Sequence, residues 1–365
     1  MTISILIILI LTSISTSILG VYLVLKKTAM MIDSISHTVL LGIVLAYMLV
    51  KDLNSPFLII GATLMGLFTT YLTEALIKSS KTKEDAAIGL VFPLLFSVAI
   101  ILVSTKFSGI HLDIDAVLLG KLELSIFDEL VINQVNLGPR LLYVTGVVTL
   151  INVLFFIRNY KSIKLITFDE LFAKTIGIPV VLIHYLLMTL VSLTAVSAFD
   201  AVGSILVVAL MVGPAATARL ITKEFKPMVL VAMGVSIFNA VLGFMVAYLL
   251  DINVSGVVAT ITLVSFLLVL LFQKESGAIS RSYKEYQKKK RFLMLSLMLH
   301  LDNHQDNPSR TKLTKLPIEL NWSDKRFLSV LNEGIKKGYF INQQGHLFFL
   351  DDGYQKYKQF LIDLD

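Results

Sequence analysis

Asp33 and His37 are ionisable residues that lie within a long apolar stretch, residues 30–50, of this chain. Because they are four residues apart, their side chains share one face of a helix. Both bind divalent metal ions: a carboxylate suits hard Mn²⁺, and an imidazole suits borderline ions such as Zn²⁺ and Fe²⁺. Ionisable residues inside a membrane segment usually mark a functional site. The pair therefore indicates a place where a metal ion passes through a membrane.

Two side chains are too few to hold a metal ion tightly. Loose binding suits a conduction path, because an ion that enters must also leave. On a two-fold axis between two subunits, the site would contain two aspartates and two histidines. In the structural alternative, Asp33 caps the start of its helix and His37 hydrogen-bonds a neighbouring helix.

The composition shows which elements must position this pair. Of the 365 residues, 56% are hydrophobic and 16% are charged, whereas a soluble protein averages about 25% charged residues. The apolar runs have lengths of about 20 residues, enough for a helix to cross a bilayer. We therefore predict an all-α polytopic membrane protein. Its segments are roughly 3–25, 30–50, 57–77, 86–105, 140–157, 179–198, 201–221, 228–250 and 256–273.

The first and seventh segments fit least well, the seventh because it contains Gly213-Pro214, so eight spans are the alternative to nine. The loops on one side of the predicted membrane hold thirteen lysines and arginines, and the loops on the other side hold four. The richer set is expected in the cytoplasm. This orientation places the C-terminus inside the cell and, with nine spans, the N-terminus outside. The first segment is interpreted as a retained helix, because it lacks the basic start and small-residue cleavage site of a signal peptide.

The composition changes after Phe272. Residues 278–365 contain fifteen Lys and Arg and ten Asp and Glu, with no apolar run of membrane length. This region is predicted to be a small cytoplasmic α+β domain, separate from the membrane domain at 1–275. Its predicted elements are helices at 283–301, 310–316, 323–337 and 353–362 and a hairpin at 339–350. Three helices, a two-stranded wing and a closing helix form a winged helix-turn-helix pattern.

Several kinds of site are excluded by the residues themselves. The chain has no cysteine, which excludes thiolate zinc sites and cysteine-held iron–sulfur clusters. It has no G-x-x-x-x-G-K-S/T phosphate loop, no H-E-x-x-H and no G-x-S-x-G. Any ATP that powers it is therefore expected to be hydrolysed by another chain, and no enzyme activity or permanently bound cofactor is predicted. His184 is expected to hydrogen-bond between helices, and His300, His304 and His346 are expected at the surface.

The segment Leu165–Pro179 predicts a short amphipathic helix between two spans. Phe168, Leu171, Phe172 and Ile176 would form its apolar face, and Gly177 follows it. Such a helix is either an interfacial connector or a peg that docks into a groove of a partner.

Several motifs, in order, resemble the permease subunit of metal-ion ABC importers, the family that serves manganese, zinc and iron. The resemblance covers about residues 1–275. The motifs are Gly20–Lys27, Asp33–His37, Lys83–Gly89, Asp113–Asp115 before Leu119-Gly120, Thr167–Pro179, Ala201–Gly203, Gly213–Arg219, and Tyr248–Asp251 followed by Gly256.

The resemblance implies a role for these residues. Asp33 and His37 would line the metal path at the two-fold interface of a homodimer. The coupling helix that docks on an ABC ATPase subunit would use Phe168, Asp169, Glu170, Leu171, Phe172 and Gly177. Besides membrane lipid, an extracellular metal-binding protein is an expected partner. The cargo would be a divalent transition metal, Mn²⁺ in the first place and Zn²⁺ or Fe²⁺ as alternatives, moved by ATP-driven alternating access.

The C-terminal domain departs from many permeases of this type, which stop near residue 275. It resembles the winged helices of metal-dependent repressors, and its recognition helix would carry Lys325, Arg326, Lys336 and Lys337, which could meet phosphates. A membrane tether makes DNA binding awkward, so a dimerisation or regulatory module is the favoured interpretation. The alternatives from other classes are a membrane-anchored metal-responsive transcriptional regulator and a secondary carrier without an ATPase.

Overall fold

The structure is a computed structural model that describes residues 2–52, 55–80, 82–106, 122, 128–132, 135–274, 277–304 and 310–362. The chain divides into two compact units, Met1–Ser276 and Gly277–Asp365. In the described part of the chain, nine helices are long and apolar enough to cross a membrane. The predicted class, a polytopic helical membrane protein with a small C-terminal α+β unit, is confirmed.

The first unit consists of helices and one short hairpin. Its helices are α1 (Thr2–Lys26), α2 (Met31–Val50), α3 (Phe57–Ser80), α4 (Glu84–Lys106), α5 (Arg140–Phe168), α6 (Glu170–Thr175), α7 (Val180–Ile221), α8 (Phe225–Leu250) and α9 (Val254–Phe272). The antiparallel strands β1 (Glu129–Ile132) and β2 (Val135–Pro139) precede α5. The fifth predicted segment ended at residue 157, but its helix continues to Phe168 because polar residues extend it beyond the apolar run.

Helix α7 reverses its direction at Gly203. This residue has φ 77° and ψ 163°, a conformation that is essentially restricted to glycine. Before the break, His184 contacts Tyr22 of α1, and after it Arg219 donates to the Val24 carbonyl of the same helix. On a straight helix, residues 184 and 219 would be about 52 Å apart. The two arms of α7 are therefore separate spans, Val180–Phe199 and Ala201–Ile221.

Helix α1 lies at the centre of the first unit and packs against α5, α7 and α8. The Asn152 amide of α5 donates to Ser15 Oγ of α1 at 2.5 Å and to Thr194 Oγ1 of α7 at 2.7 Å. A methyl group at Gly20 would overlap the backbone carbonyl of Met211. Small residues and interhelical hydrogen bonds join helices where lipid provides no hydrophobic drive. The first segment is therefore an integral part of the bundle.

The second unit has its own apolar core. It contains α10 (Ala278–Asn303), α11 (Leu316–Glu319), α12 (Asp324–Lys336), β3 (Phe340–Gln343), β4 (His346–Phe349) and α13 (Asp351–Ile362). The core joins Leu297 of α10, Phe327 and Leu331 of α12, and Phe340 and Leu347 of the hairpin. The strands are antiparallel, and positive φ angles at Gln344 and Gly345 form the tight turn between them.

One predicted helix of the second unit is wrong. Residues 310–316 were expected to be helical, but Lys312 forms an extended bridge to His346 beside the hairpin. The helix begins at Leu316 and has Pro317 in its first turn. Proline is favoured there because its missing N–H would be unpaired in any case.

Candidate functional site

The Asp33–His37 pair lies in the first two turns of α2. His37 Nε2 is 3.6 Å from Asp33 Oδ1, and the two side chains are 28% and 50% exposed. The residues between them, Ser34, Ile35 and Ser36, are buried against the rest of the unit. The pair therefore lies on the partly exposed face of α2, beside α4.

The contacts of Asp33 and His37 differ from the alternative in which Asp33 caps its helix and His37 hydrogen-bonds a neighbouring helix. Met30 occupies the N-cap position of α2, and no side chain caps the helix there. His37 is flanked by two rings of α4, with centroid distances of 5.0 Å to Phe92 and 5.7 Å to Phe96. These rings form an apolar wall behind the imidazole and leave its Nε2 edge turned toward Asp33.

Contacts with α3 hold this part of α2 in place. Thr69 Oγ1 of α3 donates to Thr38 Oγ1, next to His37, at 2.8 Å. Further along the helices, Gly42 and Gly61 allow a close approach, because a methyl group at Gly42 would overlap the carbonyl of Gly61. Among the residues that the structure describes, no group of three His, Cys, Asp or Glu side chains could hold a metal ion. Asp33 and His37 are thus two potential metal ligands on a helix that its neighbours hold in place.

A second polar cluster joins three spans. His184 Nε2 of α7 is 2.5 Å from Glu74 Oε1 of α3, and its Nδ1 is hydrogen-bonded to Tyr22 Oη of α1 at 2.9 Å. Tyr185 donates to Glu74 Oε2 at 3.2 Å. The prediction of an interhelical hydrogen bond for His184 is confirmed. Sequence reasoning missed Glu74, although a carboxylate 18 residues into an apolar helix was itself a signal.

Helix α6 is fixed to the end of α1 by charged contacts. The Asp169 carboxylate caps it by accepting from the Phe172 amide at 2.8 Å. Glu170 pairs with Lys174 at 2.8 Å and with Lys26 at 3.0 Å. Hydrogen bonds from Lys174 and then Lys26 lower the pKa of Glu170 to about 2. A short helix of six residues is thereby held in a defined orientation.

The predicted apolar face of α6 is exposed in the single chain. Phe168, Leu171, Phe172 and Ile176 are all more than half exposed, and Leu171 reaches 77%. After α6, Gly177 takes a positive φ of 82° and lets the chain turn into α7. Phe168 packs edge-on against Phe225 of α8, with the ring centroids 6.1 Å apart, and the other three side chains leave an apolar surface largely exposed.

The four basic residues predicted on a recognition helix lie on or next to α12, and all are exposed. Lys325 and Arg326 are in its first turn. Lys337, at the C-cap, pairs with Glu333 at 2.8 Å, and Lys290 of α10 pairs with the same carboxylate at 2.7 Å. Burial alone would raise the pKa of Glu333, but the hydrogen bonds from these lysines outweigh it and leave the pKa below its ordinary value. Lys336, like the first two, points to the surface.

The remaining predicted residues fall into two groups. Asp113 and Asp115, from the fourth motif, lie outside the residues that the structure describes. The histidines of the second unit are partly buried, contrary to the surface placement expected: His300 is 3.1 Å from a carboxylate oxygen of Glu319, and its ring stacks on His304. His346 is hydrogen-bonded to Thr311.

Comparison with known proteins identifies the family of this chain. Residues 1–273 match the family described as the ABC 3 transport family. The chain belongs to this family. The manganese transport system membrane protein MntD of Bacillus subtilis is 37% identical over 275 residues, which cover 75% of this chain and 93% of MntD.

The second unit also has a counterpart. The zinc transport system membrane protein TroD of Treponema pallidum is 35% identical over 353 residues, covering 96% of each chain, so the similarity extends far beyond the first unit. Among solved structures, PsaBC from Streptococcus pneumoniae in complex with Fab has a TM-score of 0.62 and 28% identity. That match covers 78% of this chain and 94% of the other.

Proposed function

We propose that this chain is the membrane permease subunit of an ABC importer that moves a divalent transition metal, Mn²⁺ in the first place, into the cytoplasm. The observation that carries the proposal is the Asp33–His37 pair, which turns a carboxylate and an imidazole outward from an otherwise buried stretch of α2. Family membership and the metals named for its relatives support the same function.

The metal path requires a second copy of the chain. Two ligands from one chain hold an ion weakly, whereas a homodimer with α2 at its two-fold axis would supply two aspartates and two histidines. Four ligands of mixed type accept Mn²⁺, Zn²⁺ and Fe²⁺, and release remains fast if the ion is not enclosed. The ion is cargo, and no cofactor is bound permanently.

The conformational change driven by ATP would reach this chain through α6. Its exposed apolar residues Leu171 and Phe172, together with Phe168 at the end of α5, form a surface suited to a groove on a cytoplasmic ABC ATPase subunit. Asp169, Glu170 and Gly177 fix its start, its orientation and its end. ATP binding and hydrolysis in that partner would move α6 and change the side to which the path opens. The opposite ends of the spans would receive an extracellular metal-binding protein.

Zinc is the second candidate cargo, and iron the third. The relative named for zinc transport aligns with 96% of this chain, including much of the second unit, whereas the relative named for manganese aligns with 75% but at higher identity. Mixed oxygen and nitrogen ligands discriminate poorly among these ions, so geometry and availability would decide selectivity.

The second unit, residues 278–365, is proposed to be a cytoplasmic winged-helix-like regulatory or dimerisation domain beside the membrane domain of residues 1–275. Lys325, Arg326 and Lys336 are exposed, but Lys337 is engaged with Glu333. A membrane-tethered reader of DNA would have to bring the chromosome to the bilayer, so nucleic acid is not an expected partner. Deleting residues 278–365 from the transporter in the cell membrane should impair metal uptake or the feedback control of that uptake. If uptake and its control stay normal but expression of metal-regulated genes changes, the transcriptional-regulator alternative is favoured.

The test is uptake of radioactive Mn²⁺ by cells that also express the ATPase and the binding protein. We expect Asp33→Asn and His37→Gln to abolish uptake at matched membrane expression. Asp251→Asn is the matched control: this residue ends α8 with a positive φ of 53°, which asparagine tolerates. Normal uptake by both α2 variants would refute the proposed path, and wild-type uptake that excess Zn²⁺ competes away would move the proposal to zinc.

A further inference from the structure

The two halves of α10 have different surroundings. Its second half gives Met294, Leu297, Met298 and Leu301 to the core of the second unit. Its first half projects past that core, and residues 281–289 are exposed at every position. Residues 278–289 are called here the basic segment, and their surface from 281 to 289 is left open to a partner outside that core.

Basic and aromatic residues occupy opposite faces of the basic segment. Arg281, Lys284 and Lys288 follow helical spacing along one face, and Lys289 flanks it. Ile279, Tyr283 and Tyr286 follow the same spacing on the other face and are 53%, 63% and 61% exposed. Glu285 is the one acidic residue in the segment. A helix with lysines and arginines on one face and tyrosines on the other suits the boundary between water and a bilayer.

The chain itself keeps this helix near a membrane. Helix α9, the last apolar helix, ends at Phe272, and α10 begins at Ala278. Six residue steps reach at most about 20 Å. Clusters of four or more basic residues directly after a membrane span are attracted to anionic lipids over about a Debye length, which is about 10 Å at moderate salt.

We propose that the basic segment docks on anionic lipid headgroups of the bilayer that α9 crosses. Its basic residues contact lipid phosphates, and Tyr283 and Tyr286 lie in the interfacial layer. A second copy of the segment fits less well, because two helices with the same excess of positive charge repel each other. The face that carries Ile279, Tyr283 and Tyr286 is also short. It ends one turn after Tyr286, at Lys290, whose ammonium group is paired with Glu333.

The absence of cysteine from the sequence makes a direct test simple. Ser282→Cys places one label on the exposed basic segment, and Ser329→Cys places one on the exposed surface of α12 as the control. The full chain carries an environment-sensitive fluorophore and is inserted, one copy per disc, into nanodiscs of phosphatidylcholine with or without phosphatidylglycerol. We expect a blue shift at residue 282 only with phosphatidylglycerol, and reversal at about 1 M salt, where the Debye length is about 3 Å.

Charge variants measure the lipid contribution. Each basic residue near an anionic surface changes the ratio of bound to free helix about fivefold. Lys284→Gln with Lys288→Gln should therefore lower this ratio about 25-fold. Lys325→Gln with Lys336→Gln removes the same charge from α12 and should leave it unchanged. The only tryptophan, Trp322, packs against the core of the second unit and reports whether each variant is folded.

Three outcomes would overturn the proposal. They are a shift of equal size in neutral discs, a shift that persists at high salt, and no shift in either lipid. If the double variant changes the Trp322 emission, Lys284→Gln alone replaces it, with a fivefold loss expected. None of these readouts depends on transport, so they test the basic segment independently of the metal path.

Discussion

Glu74 connects two neighbouring helices through one carboxylate, so its removal should loosen the bundle measurably. It accepts from Tyr185, lies 2.5 Å from His184, and through that imidazole reaches Tyr22 of α1. Both Glu74 and His184 have side chains that are only about one-fifth exposed. Interhelical hydrogen bonds in membranes average about 0.6 kcal/mol and reach about 1.7 kcal/mol. Glu74→Ala loses two of them and should lower the free energy of unfolding by about 1–3 kcal/mol.

A double-mutant cycle separates this interaction from side effects of truncation. Glu74→Ala, His184→Ala and the double variant are unfolded at equilibrium in mixed micelles with increasing dodecyl sulfate. The coupling energy should be about 0.6–1.7 kcal/mol, because either single change already removes the shared contact. Tyr185→Phe is the milder comparison, since it deletes one hydrogen bond of 3.2 Å and should cost less than about 1 kcal/mol. Additive effects of Glu74→Ala and His184→Ala would refute the cluster as an energetic unit.

Three further predictions follow from single positions. Gly203→Ala should cost about 1–3 kcal/mol of unfolding free energy, because its φ of 77° with ψ of 163° suits only glycine; an unchanged unfolding midpoint would contradict this. Gly20→Ala should cost about 1–3 kcal/mol by overpacking α1 against the α7 backbone, with Gly89→Ala, whose added methyl group meets nothing, as the control. Glu170 pairs with Lys26 and Lys174, and its pKa is lowered from 4.5 to about 2; its contribution is therefore present above pH 4.5 and lost as the pH falls toward 2. Glu170→Gln should remove that part of the pH dependence of stability, and an identical pH profile would count against the pairing.

The membrane architecture could be predicted because lipid imposes a simple rule. Every span must be apolar over about 20 residues, so hydropathy located the nine segments. The break in α7 was predicted between residues 198 and 201, and the chain reverses nearby at Gly203. Gly213-Pro214 had made the seventh segment doubtful, yet the helix continues through Pro214. Proline is tolerated in membrane helices because neighbouring groups satisfy the freed carbonyl.

The candidate site residues differ in how far apart they lie along the sequence. Asp33 and His37 could be proposed because their spacing of four residues is a local signal. Glu74 and His184 are 110 residues apart, and no periodicity connects them. In the second unit, Pro317 and the extended bridge at Lys312 decided where α11 begins, and the bridge depends on contact with the hairpin.

The short helix α6 and the second polar cluster are connected through α1. Lys26 at the end of this helix pairs with Glu170 of α6, and Tyr22, one turn earlier, is hydrogen-bonded to His184. A displacement of α6 would therefore pull on the end of α1, and His184 would pass the displacement to Glu74 on α3. Polar contacts of defined geometry transmit such a displacement better than lipid-facing apolar side chains, which can slide past one another.

Helix α3 then continues the connection to the Asp33–His37 pair. Thr69, five residues before Glu74, donates to Thr38, which is adjacent to His37 on α2. If this route links ATP hydrolysis to the path, Glu74→Gln in the assembled transporter should reduce metal uptake while hydrolysis by the partner continues. A parallel loss of uptake and hydrolysis would show instead that Glu74 only maintains the fold on which both depend.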